Sequence, residues 1–275
     1  MTLVGAVASP ALHVMTFNVR RRMSETMPGR SADRWSTRLP ILQQVLREER
    51  PTVVGVQEAL PDQAAAIGEA LGPSYRFVGF GRNAGRRGEA CPLFFDTDRL
   101  AVQEWSQTAL SERPDEPGST SWGGLIPRVV VRALFRDRAS STVFAVWNTH
   151  LDPFSARARK RTAAMLAADA GGADVPLIVT GDFNAPAGSA TWRTLLAGNR
   201  LRDAWPVAAE RLTPEWGTFA NYLRPRIGKG RIDGILVSDD VVVQSIGINA
   251  TRTAAGWPSD HLPVQAVVQL GGGSR

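Results

Sequence analysis

The sequence predicts an α/β (α+β) fold of stacked β-sheets with helices outside them, and three observations predict it. Short β-branched runs recur from end to end, each closed by Gly, Pro, Asp or Asn, as strands are. A few stretches have helical spacing instead. These helical stretches are scattered among the more numerous strands without the strict alternation of a βαβ series.

The strand-like runs are His13–Asn18, Thr52–Gln57, Tyr75–Phe80, Pro92–Phe95 and Val129–Phe135. They continue with Val143–Asn148, Leu177–Thr180, Arg231–Val237, Val241–Ile248 and Leu262–Val268. Between them, Arg34–Arg50 carries Leu39, Leu42, Val45 and Leu46 three or four apart, and Pro51 stops it. Pro40 inside that stretch implies a kink or a late helix start. Ser155–Ala170 is alanine-rich with basic residues early, and Ser189–Ala197 follows a Gly-Ser break. With no internal repeat or linker, the chain is expected to form a single domain over 12–270. A flexible lead-in (1–11) and a flexible Gly-rich tail (271–275) are expected around it.

Composition narrows the chemistry. The chain has 275 residues, 43% hydrophobic and 21% charged, the balance of an ordinary globular protein. Its single cysteine, Cys91, excludes an intramolecular disulfide. Three histidines cannot build a His-rich metal cluster, so a metal site must lean on carboxylate and amide oxygens, which suit Mg²⁺ or Mn²⁺. The net charge of +6 is almost all arginine, since Lys160 and Lys229 are the only lysines. Such a charge attracts polyanions, although an arginine bias also follows from genome composition. No apolar run approaches the roughly 18 residues of a membrane span, and Thr2–Leu12 lacks a basic n-region. A cytoplasmic protein with no obligate protein partner is therefore expected.

The strongest local signal is Gly181-Asp182-Phe183-Asn184, where a buried strand ends by presenting a carboxylate and an amide two residues apart. The glycine is expected to allow an unusual turn. Alone, this tip could equally be an Asx-rich helix cap. Other strand ends behave in the same way: Thr16-Phe17-Asn18, Gln57-Glu58, Asn148-Thr149-His150 with Asp152, Ile232-Asp233 and Ser259-Asp260-His261. Metal-dependent sites are assembled like this, from separated segments on rigid elements. His13, without acidic company, reads as a structural histidine.

That ordered series, running from Thr16 to Val268, resembles the endonuclease/exonuclease/phosphatase superfamily. The resemblance implies a deoxyribonuclease I-like, four-layered α/β/β/α sandwich with two mixed sheets. It implies that Glu58 is the principal metal ligand, with Asn18 on the metal or phosphate and Asp260 beside the metal. Asp182 and Asn184 match the pair that orients and activates water, His261 the histidine that polarises the phosphate, and Asp233 the carboxylate that orients it. His150 matches the second histidine of deoxyribonuclease-like members, a proton source for the leaving oxygen. Glu89 matches the acid that pairs with that histidine and would raise its pKa. Arg82 and Arg128 are candidate phosphate contacts by guanidinium chemistry, though ordinary surface arginines explain them as well.

Departures narrow the branch. Glu58 is followed by Ala59-Leu60 and Asn18 by Val19-Arg20-Arg21, unlike the abasic endonucleases. Arg231-Ile232-Asp233 stands where inositol phosphatases have a longer motif. Thr108–Ser111, Pro117–Ser119, Trp122 and Arg128 resemble a bacterial branch of stand-alone hydrolases, with Gly123 where that branch has an acid. The leading expectation is a Mg²⁺- or Mn²⁺-dependent phosphodiesterase, nucleic acid being one candidate substrate. A phosphatase or phospholipase-type hydrolase, and a catalytically silent binding module, remain as alternatives.

Overall fold

The computed structural model describes residues 2–24 and 29–271. Its first elements are β1 (Ala11–Asn18), α1 (Trp35–Glu49), β2 (Val53–Gln57), α2 (Pro61–Leu71), β3 (Tyr75–Val78), β4 (Gly81–Asn83) and β5 (Arg87–Ala90). There follow β6 (Leu93–Asp96), β7 (Leu100–Ala109), β8 (Val129–Asp137), β9 (Val143–His150), α3 (Ala156–Gly171), β10 (Leu177–Asp182) and α4 (Ala190–Leu195). The chain finishes with β11 (Leu201–Asp203), α5 (Ala204–Val207), β12 (Glu210–Arg211), β13 (Asp233–Ser238), β14 (Val241–Ile248) and β15 (Val264–Leu270).

Two mixed sheets carry the fold. One has the order β12-β14-β15-β1-β2-β6-β3 and the other β11-β13-β10-β9-β8-β7, while β4 and β5 form a separate ribbon. Their inner faces share one apolar core, in which Leu12, Val14, Val53, Phe95 and Val264 meet Phe135, Phe144, Val146, Ile178 and Ile235. On the outer face of the first sheet, Met15, Phe17, Val54 and Val56 pack against Leu42 and Leu46 of α1 and Ile67 of α2. On the outer face of the second, Trp147 and Val179 pack against Leu166 of α3 and Trp192 and Leu195 of α4. Strand alternation produces this directly: successive residues of β1 serve the inter-sheet core and the helix side in turn. The result is the expected α/β/β/α sandwich.

The inner face changes character along the strands. β9 presents Phe144 and Val146, then Asn148 and His150, while its parallel neighbour β10 presents Ile178, then Thr180 and Asp182. The buried polar groups in the middle bond one another across the sheets, with Gln57 Oε1 alone of them left without a partner. Gln57 Nε2 donates to Asn148 Oδ1 (2.7 Å) and to Thr16 Oγ1 (3.0 Å). Asn148 Nδ2 donates to the carbonyls of Val56 (2.8 Å) and Cys91 (3.0 Å). Such bonds offset the desolvation of burying amides. The sheets come so close here that a Cβ on Gly55 would lie 2.1 Å from Thr180 Oγ1 and 2.6 Å from Asn148 Oδ1.

Several expectations are corrected. α1 begins at Trp35 and continues through Pro40, so there is no late start. α2 was not anticipated, because its buried face is mostly small: Ala64, Ile67, Ala70 and Leu71. β7 was missed because it is an edge strand whose middle residues, Gln103 to Ser106, are exposed, which removes the apolar alternation. The lead-in is anchored: backbone N–H groups of Leu3, Val4 and Gly5 donate to the carboxylate of Glu49 at 2.7–3.0 Å. The expected tail lies, beyond residue 271, outside the described residues. Among the described residues, no helix is long and apolar enough to cross a membrane.

The tight approach at Gly55 yields a measurable outcome. Gly55→Ala should destabilise the fold by about 1–3 kcal/mol through overpacking, read as a lower urea midpoint with an unchanged m-value.

Candidate active site

Strand register assembles one wall of the site. Asp182 of β10 is paired with His150 of β9 on one side and with Asp233 of β13 on the other. The three side chains therefore form a row across adjacent strands. The opposing wall comes from the other sheet, where β1 ends at Asn18 and β2 leads into Glu58. Asn18 Nδ2 joins the walls, donating to Glu58 Oε1 (3.0 Å) and to Asp182 Oδ2 (2.9 Å).

Asp182 is 1% exposed. Its Oδ1 accepts the backbone N–H of Asn184 (2.9 Å), and Asn184 Nδ2 in turn donates to the Leu151 carbonyl (2.9 Å). Burial, then the negative charge of Asp233, push the Asp182 carboxyl up to about 7, against the pull of His261 and Asn18. The turn that was expected at Gly181 lies instead at Asn184, which is left-handed (φ 48°). Gly181 is there for close packing, since a Cβ would meet the Thr149 carbonyl oxygen at 2.8 Å. Glu58 is also left-handed (φ 65°), a conformation that costs an ordinary residue on the order of 1–3 kcal/mol and clusters at functional sites.

The two site histidines have opposite surroundings. His261 Nδ1 lies 2.9 Å from Asp233 Oδ2 and 3.8 Å from Asp182 Oδ2. Burial works against its charged form, but Asp233 and then Asp182 overcome it and hold the imidazolium well above its ordinary range. His150 Nε2 is 3.5 Å from Asp182 Oδ2, and its Nδ1 has no hydrogen-bond partner. Burial, then Arg128 and Arg82, push it well below the ordinary value. The expected Glu89–His150 pairing is therefore overturned. Glu89 binds Arg82 Nη2 (2.9 Å) and Arg21 Nη1 (3.4 Å) instead. Two cations nearby bid for that carboxylate, which a neutral buried imidazole cannot match.

The acidic corner fits a hard cation. Glu58 Oε2 accepts the Arg21 N–H (2.9 Å), and that bond and Asn18 hold the carboxyl low despite its burial. Asp260 is buried, and burial raises its carboxyl against the pull of His261, with Glu58 adding to the rise and Arg20 Nε at 3.7 Å opposing it. Two acids that feel each other's charge offer the carboxylate oxygens that Mg²⁺ or Mn²⁺ takes. Asn18 belongs less well in it than expected, because it turns its Nδ2 towards Glu58 while its Oδ1 accepts the Arg20 N–H (2.9 Å). Asp182, Asp233 and His261 also lie close enough to surround an ion. That trio is better described as an ion pair, since a protonated imidazole already bonded to Asp233 has no lone pair to offer.

Glu58, His150, Asp182, Asp260 and His261 line a cavity of 560 Å³ that also holds Arg82 and Arg128. Both arginines are under 10% exposed, and Arg128 Nε and Nη1 meet no hydrogen-bond partner. Buried donors left open in this way suit an incoming anion. Sequence reasoning missed Arg20, which binds Asp33 and faces Asp260. It also missed Phe154, Phe219 and Asn221 in the lining. Arg20 could have been found from its position two residues beyond Asn18; the others sit in loops without periodicity.

Comparison with known proteins follows the same lines. The profile of the Endonuclease/Exonuclease/phosphatase family matches residues 15–261. A family protein from Bacteroides vulgatus is 29% identical (TM-score 0.87), over 95% of this chain and 100% of that one. A mannosyl-6-phosphatase from Bacteroides thetaiotaomicron is 29% identical (TM-score 0.85), over 94% and 99%. The human Nocturnin catalytic domain, 19% identical (TM-score 0.71) over 95% and 94%, shares the fold. Comparison with curated proteins by sequence returns no match.

Asp233→Asn should bring the His261 imidazole down towards its ordinary pKa, seen as an earlier midpoint in an NMR pH titration of its ring protons. The same link gives a stability signature. His261 is raised, so its pairing stabilises the fold in full below about pH 6.5 and is lost as pH climbs through the folded-state value.

Proposed function

Because the chain belongs to the Endonuclease/Exonuclease/phosphatase family, we propose that it is a divalent-metal-dependent phosphoesterase that hydrolyses a phosphodiester by attack of water. The observation that carries this reading is the row of His150, Asp182 and Asp233 on one sheet, facing Glu58 and Asn18 on the other. Acid, base and phosphate-binding groups thereby converge on one cavity.

Glu58 and Asp260 would hold Mg²⁺ or Mn²⁺, whose charge would offset the negative charge developing on the phosphate oxygens. Asp182 takes the proton of the attacking water, a task suited to a carboxyl lifted to about 7. Asn18 and the Asn184 N–H fix its two oxygens, so the base has one orientation. His261, kept protonated by Asp233, donates to a phosphate oxygen. Arg128 receives another oxygen on its open Nε and Nη1. A phosphate seated there would offset the charge of Arg128 and Arg82, which adds to burial in keeping His150 neutral. That change favours a proton on the imidazole, which is placed to pass it to the leaving oxygen.

A phosphatase reading is kept in view by the 29% identity to the mannosyl-6-phosphatase. One experiment separates the possibilities: a bis-aryl phosphodiester, an aryl monoester and plasmid DNA are each assayed with Mg²⁺, with Mn²⁺ and with chelator. Diesterase activity that chelation removes and metal restores is expected. Monoester turnover alone would favour the phosphatase, and turnover indifferent to chelation would sink the metal assignment. A total lack of turnover would point to a silent binding module. Asp182→Asn should lower kcat by about 10²–10⁴-fold, as loss of a general base does. Arg128→Lys keeps the charge but not the fork, and should raise KM about tenfold with kcat little changed.

A further inference from the structure

The cavity has an ionic floor and an apolar mouth. Phe154 is 76% exposed and Phe219 50% exposed, and both line it, with Ile126 and Pro153. A single exposed phenyl ring needs no explanation. Two at the mouth of one charged cavity, from separate loops, form a surface that water covers poorly.

The backbone of Phe154 and the ring of Phe219 are held in place. Asp152 Oδ1 accepts the N–H of Phe154 (2.8 Å) and of Ser155 (2.6 Å), and the Ser155 side chain then caps α3 through the Ala158 N–H (3.1 Å). Phe219 forms a β-bridge with His261, and its ring centroid lies 5.1 Å from the imidazole. Its neighbour Thr218 accepts the N–H groups of Ile232 and Asp233 on Oγ1, both at 3.0 Å. The backbone bonds that place Asp233 and His261 therefore also place the Phe219 ring. Apolar faces fixed before a ligand arrives lose little entropy when it binds.

We infer that Phe154 and Phe219 form a stacking rim for a flat aromatic group esterified to the phosphate, such as a nucleobase-bearing or aryl alcohol. The assignment rests on the phosphoesterase reading above. Ring on ring is the contact two phenyl faces offer best, and it is tolerant of which ring is bound. An acyl chain fits worse: beyond the rim it would lie against Arg20, Arg21, Glu58 and Glu89, burying methylenes on charge. A bare sugar phosphate would sit on the floor and leave both rings wet.

The test is equilibrium binding by calorimetry, in an Asp182→Asn background with Mg²⁺, of thymidine monophosphate and of deoxyribose phosphate, which lacks the base. Thymidine monophosphate should bind about tenfold more tightly. Phe154→Ala and Phe219→Ala should each remove most of that advantage, and Phe154→Trp should keep it. Both rings are exposed, and a thermal melt of each variant checks that it folds. Equal affinity for the two ligands, or an advantage that survives both alanine substitutions, overturns the rim and leaves the phosphoesterase reading standing. Binding of neither ligand removes both. Tighter binding of a short-chain lipid phosphate than of the nucleotide overturns the aromatic assignment in favour of an acyl chain.

Discussion

The Asn18 amide is the contact on which the rest of the site depends. Its Nδ2 reaches Glu58 on its own sheet and Asp182, 164 residues away, on the facing one. Two carboxylates that would repel are thereby held in one frame by a neutral donor. Beneath it, Gln57, Asn148 and Thr180 continue the polar seam into the sandwich, with Thr180 Oγ1 3.1 Å from Asn148 Oδ1. A buried polar network is costly when half satisfied and rigid when complete. Here its bonds set how closely the two sheets approach, and the apolar core behind it supplies the stabilisation that lets them do so.

That seam explains how similar burial gives two histidines opposite character. His150 and His261 both face Asp182, but the arginine pair stands beside one and Asp233 beside the other. The separation is electrostatic and local, and it leaves one imidazole uncharged and the other charged within a single cavity. Sites that push like groups apart in this way divide acid and base duties between them.

Most of this was legible in the sequence because the strands are apolar until their ends. Asn18, Glu58, Asp182 and His150 stand at or just past the end of a β-branched run and Asp233 opens one, and alternation predicts which face the strand residues share. What could not be read was pairing. Glu89 resembles a histidine's partner, yet Arg82 and Arg21 outbid that histidine, and nothing in a one-dimensional pattern ranks such competitors. The amide of Asn18 was assigned to the metal or phosphate, whereas its hydrogen bonds direct it at two carboxylates. β7 and α2 escaped because the first is exposed in its middle and the second buries alanine, so neither shows the periodicity that marks a core element.

The seven-stranded sheet places β1 between β2 and β15, the first described strand beside the last. During synthesis β1 must therefore wait, with one edge unpaired, until β15 has emerged. Ser259–His261, which closes the site and whose Ser259 hydroxyl bonds the Asn18 carbonyl at 2.7 Å, arrives just ahead of β15. Sequence separation of this size makes for high contact order and slow, late closure. The candidate site is consequently incomplete until the segment around Ser259–His261 has joined the strand that opens the sheet's centre.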